Sequence, residues 1–311
     1  MTMPPSWTSR TRTRLALGLC ALLTATACGT SGAQLPGEID PSQDVLSKVS
    51  RVDAIAAQLP AAVRASGRIK VATAAKGSAP VRYYTEDTKE LVGVEIDLQK
   101  AVGKVLGVRM ESEDATFDQI IPAIRSGRYD IGQGNFGVTE ERKKQADFVT
   151  YYDDGFGFLV RAQRKQPPVR EVSDLCGLRV GTNAGTSFEE LLHNNASKCA
   201  AKGKDSYRVS VYRGTADSML ALSQNKMDVL VLSSVFLQYA AERQPHRLTY
   251  VNKIYNEHIG FLLKAGSPLT KPLQLATQEL MESGVYQQIM KKWGLESAMI
   301  DRSLVNPPGL K

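Results

Sequence analysis

From Gly67 to Gly294 the chain alternates short β-type runs with helical stripes, and it does so twice. Arg68 to Thr73 is rich in residues suited to a strand. Apolar positions 94, 98, 101, 102, 105 and 106 then share one helical face within Val92 to Leu106. Phe117, Ile120, Ile121 and Ile124 give the next stripe, and Tyr129 to Gln133 the next strand. The series returns later. Leu178-Arg179-Val180-Gly181-Thr182 opens a second strand, loop and helix, and Met227-Asp228-Val229 echoes Tyr129-Asp130-Ile131. Val180 follows Val71 by 109 residues, and Asp228 follows Asp130 by 98. The expectation is an α/β fold with two similar lobes. Beyond the second series, Ile259 to Lys264 reads as a strand, and Pro272 to Glu282 and Val285 to Trp293 as amphipathic helices. These exceed what the second lobe needs, so the chain is expected to cross back. Residues 66–158 plus 259–311 would form lobe 1 and residues 159–258 lobe 2, joined by a two-segment hinge near 157–162 and 254–260. A cleft between hinged lobes is a ligand site by default.

The stretch Ser126 to Tyr152 is the densest in chemistry. A strand ends in the glycine-rich Gly-Gln-Gly-Asn-Phe-Gly-Val segment, and a helix follows. Thr139 can cap that helix, with Glu140 and Glu141 well placed in its first turn. Arg142 sits one turn in, near the end of the strand, where a permanently charged planar fork suits a carboxylate. Spacing alone leaves open a solvated arginine on a basic helix face.

The ends bound the rest. Arg10, Arg12 and Arg14, the apolar run Leu15 to Leu23, and the small Ala25-Thr26-Ala27 make residues 1–27 a signal peptide. The run is far shorter than the ~20 residues that span a bilayer. Cys28 follows directly and resembles a lipobox cysteine, which would be lipidated to anchor a lipoprotein at the outer face of the cytoplasmic membrane. Ala25 stands where Leu is usual, and ordinary cleavage to a secreted form is the alternative. Residues 28–65 read as a tether with a short helix. Loss of the leader removes three arginines, so the net charge falls from +7 to +4, too mild to argue for nucleic acid. With Cys20 in the leader and Cys28 at the anchor, Cys176 and Cys199 are expected to form a disulfide in an oxidising compartment. Two cysteines and three scattered histidines offer no metal-ligand spacing, and no cofactor is indicated.

Several runs together carry a family resemblance: Gly67-Arg68-Ile69-Lys70-Val71-Ala72, Leu91-Val92-Gly93-Val94-Glu95-Ile96-Asp97-Leu98, Ile121-Pro122-Ala123-Ile124, Thr139 to Phe148, and Gly284-Val285-Tyr286 … Lys292-Trp293-Gly294. Over residues 66–294 the chain resembles the extracytoplasmic solute-binding proteins of polar amino-acid ABC importers. The resemblance implies the type II periplasmic binding protein fold, two Rossmann-like lobes joined by a two-segment hinge. It also implies that Arg142 clamps a ligand α-carboxylate and that Thr139 caps and lines the same pocket. Phe117 falls where an aromatic packs on the ligand, with a core residue as the alternative. Asn183-Ala184-Gly185-Thr186-Ser187 matches the loop whose backbone N–H groups bind the carboxylate, Thr186 being the nearest contact; a plain turn is the alternative. Three positions depart from the pattern. Gly137 replaces a Ser or Thr, Ser233 replaces the aspartate that pairs with the α-ammonium, and Val81 replaces an aromatic, with Tyr83 and Tyr84 close by. A buried ammonium without a counter-charge is costly, and Asn135, Asp153 and Asp154 are the groups available to compensate.

The expected function is a lipid-anchored, monomeric receptor that closes on a small carboxylate-bearing solute and delivers it to an ABC permease and its ATPase. An enzyme on the same fold, such as a cyclohexadienyl-dehydratase-like protein, would need a general acid in the cleft. Its candidates are Glu140, Glu141, His193 and His258. A ligand-sensing signalling receptor is the other alternative.

Overall fold

The computed structural model describes residues 39–74 and 78–310. The leader, Cys28 and the tether up to residue 38 lie outside them. Two short helices, α1 (Asp53–Ala56) and α2 (Ala61–Ser66), precede strand β1 (Arg68–Thr73). A ribbon of β2 (Tyr83–Tyr84) and β3 (Leu91–Val92) leads into α3 (Val94–Leu106), β4 (Arg109–Asp114), α4 (Phe117–Arg125) and β5 (Ile131–Gln133). One turn of helix, α5 (Glu140–Lys143), opens the long strand β6 (Ala146–Arg161). The second series runs β7 (Arg179–Asn183), α6 (Ser187–Asn195), α7 (Lys198–Ala201), β8 (Arg208–Tyr212), α8 (Thr215–Ser223), β9 (Val229–Ser233) and α9 (Ser234–Arg243). Strand β10 (Leu248–Lys264) returns the chain to α10 (Thr270–Glu282) and α11 (Val285–Lys292).

Eight strands form one sheet in the order β4-β1-β5-β10-β6-β9-β7-β8. Its two halves have the same plan. In each, three parallel strands with the first-formed in the middle are joined through helices, as parallel pairing requires, and an antiparallel strand borders them. The bordering strands β10 and β6 are 17 and 16 residues long and pair with each other almost end to end. At ~3.3 Å per residue such a strand covers roughly 50 Å, enough to serve both halves. Tyr151 and Tyr152 of β6 pack with Ile69, Leu98, Phe261 and Trp293 in one core, while Phe156 and Phe158 pack with Val180, Leu222 and Val231 in another. A third cluster, including Ile120, Ile124, Phe136 and Phe148, belongs to the first half. The outermost strand β4 carries Arg109, Glu111, Glu113 and Asp114 at exposed positions, which suits a sheet edge.

The last two helices return to the first half for a visible reason. The Trp293 indole N–H donates to Asp97 at 2.8 Å, and the Lys292 ammonium sits 2.8 Å from the same carboxylate, nearly excluded from water. Cys176 and Cys199 are bonded, with 5.6 Å between their Cα atoms. Within Val45 to Leu59 only α1 is helical, and Val45, Ile55 and Leu59 bury their side chains in the first core. Strand β5 begins at Ile131 instead of Tyr129, and the helix after Thr139 lasts a single turn because β6 starts at Ala146.

Candidate functional site

A cavity of about 600 Å³ opens where the two halves of the sheet meet. Arg142 is a buried charge in its wall. The Thr139 hydroxyl accepts from the Arg142 N–H at 3.1 Å, which fixes the start of α5 and so the arginine one turn in. The guanidinium donates to the Gly137 carbonyl at 2.8 Å and, across the divide, to the Gly185 carbonyl at 3.0 Å. It also lies 5.8 Å from the ring centres of Phe117 and Phe136. Burial holds its pKa below the usual value, against the Glu257 and Glu190 charges. No carboxylate stands within 4 Å of it among the described residues. Five N–H donors on a cation that also lines the cavity leave capacity for an anionic group.

The second half presents the start of α6. Thr186 caps it by accepting from the Glu189 N–H at 3.2 Å. The N–H groups of Ala184 and Gly185 are taken, by the Tyr212 carbonyl and the Glu189 carboxylate. That leaves the N–H groups of Thr186, Ser187 and Phe188, all cavity-lining residues, as the donors available to an anion at this helix start. Gly185 has φ +73°, and a Cβ on it would stand 3.0 Å from that of Asp118 at the start of α4. A side chain there would wedge the halves apart.

Two buried acids stand where β6 and β10 cross, paired in register: Asp154 and Glu257. Successive strand residues face opposite ways, so Asp153 turns to His258 (2.6 Å) while Asp154 turns toward the cavity wall. Asp154 accepts from Ser233 Oγ at 2.5 Å, Asn135 Nδ2 at 3.0 Å, and the N–H groups of Gly155 and Val235. Burial raises its pKa and these four bonds oppose the rise. Glu257 follows a bulge in which Tyr255 and Asn256 stand opposite the single residue Gly155, Tyr255 with φ 56°. One oxygen accepts from Ser187 Oγ at 3.0 Å and the other has no partner among the described residues. Burial pushes its pKa up to about 7, with Arg142 and Ser187 pulling the other way. A Cβ at Gly137 would lie 1.8 Å from this carboxyl group, so the missing side chain at 137 is the space that Glu257 fills. Gly137→Ser is expected to cost about 2 kcal/mol in urea unfolding, and Glu257→Ala added to it to recover most of that loss.

Among the residues expected at the site, Asn135, Phe117, Arg142, Asn183, Thr186 and Ser233 line the cavity. Phe117 is both liner and packing residue, stacked on Phe136 at 4.4 Å. Gly137, Thr139 and Gly185 stand behind the lining and act on Arg142 through one carbonyl, one cap and another carbonyl. Tyr83 is not a liner; its ring meets the Trp293 ring edge-on at 6.2 Å. Val81 lines the cavity instead, beside Arg82, whose guanidinium is paired with Glu95 at 3.4 Å. Asp114, Arg213 and Asp217 add charges at exposed positions. Sequence reading did not single out Arg82, Glu95 or Glu257, and it gave Ser187 only as the last residue of the 183–187 loop. Glu140, Glu141, His193 and His258 pair with Lys143, Lys144, Glu189 and Asp153 and are not among the cavity's lining residues.

Comparison with known proteins gives this geometry a context. The arginine-binding protein ArgT of Corynebacterium glutamicum is 30% identical over 225 residues, covering 72% of this chain and 73% of that protein. A solved structure of an ancestral arginine-binding protein bound to arginine superposes with a TM-score of 0.65 at 29% identity, covering 73% of this chain and 98% of that one. An ancestral amino acid-binding protein described as a precursor of cyclohexadienyl dehydratase gives 0.64 at 26% identity, covering 75% and 97%. These likenesses and the strand order make the fold that of the type II periplasmic binding proteins, with two Rossmann-like lobes and β6 and β10 as the two hinge segments. The profile of the bacterial extracellular solute-binding proteins, family 3, matches residues 69–296, and the chain belongs to that family.

Proposed function

We propose that this protein is a non-catalytic, lipid-anchored extracytoplasmic receptor for an amino acid of the arginine type, which it delivers to an ABC permease and its ATPase. The observation that carries the reading is Arg142, buried at the meeting of the lobes, lining the cavity and without a carboxylate partner within 4 Å among the described residues. In this reading the ligand α-carboxylate takes its free N–H donors together with those at the start of α6. Asp114 from one lobe and Asp217 from the other, both cavity-lining, suit a cationic side chain at the far end. The arginine-binding relatives support the same ligand class.

We assign residues 66–158 plus 259–311 to lobe 1 and 159–258 to lobe 2, acting as a monomer. Closure would be stabilised by contacts that exist only when the lobes meet, such as Arg142 to Gly185 and Ser233 to Asp154. The four titratable side chains considered for acid–base catalysis are not among the cavity's lining residues. Anchoring rests on the lipobox-like Cys28, and Cys28→Ala should move the protein from the membrane fraction to the medium or periplasm. The main test is a thermal-shift screen against the amino acids and simple carboxylates. L-Arginine at 100 times its Kd should stabilise by ~2.7 kcal/mol. Stabilisation by no amino acid, or a turnover product in the same samples, would refute the reading.

A further inference from the structure

The resemblance expected an aspartate at 233 for the ligand ammonium, and the chain has Ser233. The structure shows where a negative charge stands instead. Asp154, on the neighbouring strand β6, is 2% exposed and bonded to two side chains that line the cavity from opposite lobes, Asn135 and Ser233. All four of its partners are neutral donors, and no Lys or Arg lies within 4 Å of it among the described residues. A buried carboxylate without a cation is costly unless another charge completes it. Donation to Asp154 also fixes the role of Ser233. With its proton committed there and one lone pair accepting from the Phe236 N–H at 3.3 Å, Oγ has a single lone pair left, so toward a ligand in the cavity this lining residue can act only as an acceptor. Asn135 is oriented likewise: its Nδ2 goes to Asp154 and its Oδ1 accepts from Tyr152 at 2.6 Å, with a second lone pair remaining. A pair of acceptors backed by an anion is the complement of an ammonium group.

We propose that Asp154, acting through Ser233 and Asn135, is the positioning residue that makes the site select α-amino acids over carboxylates lacking the amine. The charge has moved from β9 to β6, one hydrogen bond behind the wall. This rests on the amino-acid reading above and extends it to the ligand's other pole. Asp154 also accepts from the Val235 N–H at the start of α9, so the experiment must separate selection from scaffolding.

The test is calorimetric titration with L-arginine and with 5-guanidinopentanoic acid, which is arginine without its α-amino group. The parent protein should prefer L-arginine by about 100-fold, the scale of an uncompensated buried charge. Asp154→Asn should weaken L-arginine by about 100-fold and 5-guanidinopentanoic acid by less than about 3-fold. The exchange Asp154→Ser with Ser233→Asp should restore the preference to within about 10-fold, because it returns the charge to β9. Equal weakening of both compounds would mean a scaffolding role and overturn the proposal, as would an unchanged preference in Asp154→Asn. If the parent binds neither compound, the arginine reading itself is refuted, and this inference falls with it.

Discussion

Arg142→Met is expected to weaken L-arginine binding by about 1000-fold in calorimetry while the protein still folds. The fork supplies charge-assisted bonds in a site closed from water, and truncating one partner of such a pair removes several kcal/mol. Methionine keeps much of the side-chain length among Phe117 and Phe136 and removes a charge whose burial is itself unfavourable. The Gly137 and Gly185 carbonyls each lose one donor, so a modest stability loss accompanies the larger binding loss. Arg142→Lys should recover no more than about 10-fold, since an ammonium cannot reproduce the planar fork that reaches two carbonyls and a ligand together.

Glu257→Gln is expected to reshape the pH dependence of stability. A carboxyl whose pKa rises from 4.5 to about 7 on folding keeps its proton longer in the native than in the unfolded state. Its contribution is therefore fully present below pH 4.5, declines as the pH rises, and is lost by about pH 7, a change of about 3 kcal/mol. Glutamine keeps the shape and does not titrate. The difference in unfolding free energy between parent and variant, measured by urea melts at pH 4.5 and pH 8, should thus shift by about 3 kcal/mol in favour of the variant at the higher pH. A constant difference would show that Glu257 titrates as an ordinary surface acid does.

Local patterns carried most of the fold. Strand β1 has the bounds that its composition suggested, and the stripes at Val94 to Leu106 and Phe117 to Ile124 became α3 and α4. Arg142 was legible for the same reason: Thr139 fixes a helix start, and the residue one turn in inherits its position from that cap. The hinge acids were harder to read. Asp154 and Glu257 lie far apart in sequence and meet only through the pairing of β6 with β10. Alternation says that Asp153 and Asp154 face opposite ways but not which one faces the cavity. At Glu257 even alternation fails, because the bulge at Tyr255 changes the register and with it the face. Gly137 looked like a lost hydroxyl, and its purpose is seen only with the Glu257 carboxyl in the space. Tyr83 went to Trp293 because α11, docked by Asp97, brings that ring beside the β2–β3 ribbon.

The most direct test of the carboxylate clamp compares L-arginine with agmatine, which is arginine without its carboxylate, by calorimetry on the unaltered protein. If the carboxylate binds at Arg142, agmatine should bind at least ~1000-fold more weakly, and Arg142→Met should leave its affinity unchanged. Agmatine binding as tightly as L-arginine would contradict the assignment of Arg142 to the ligand.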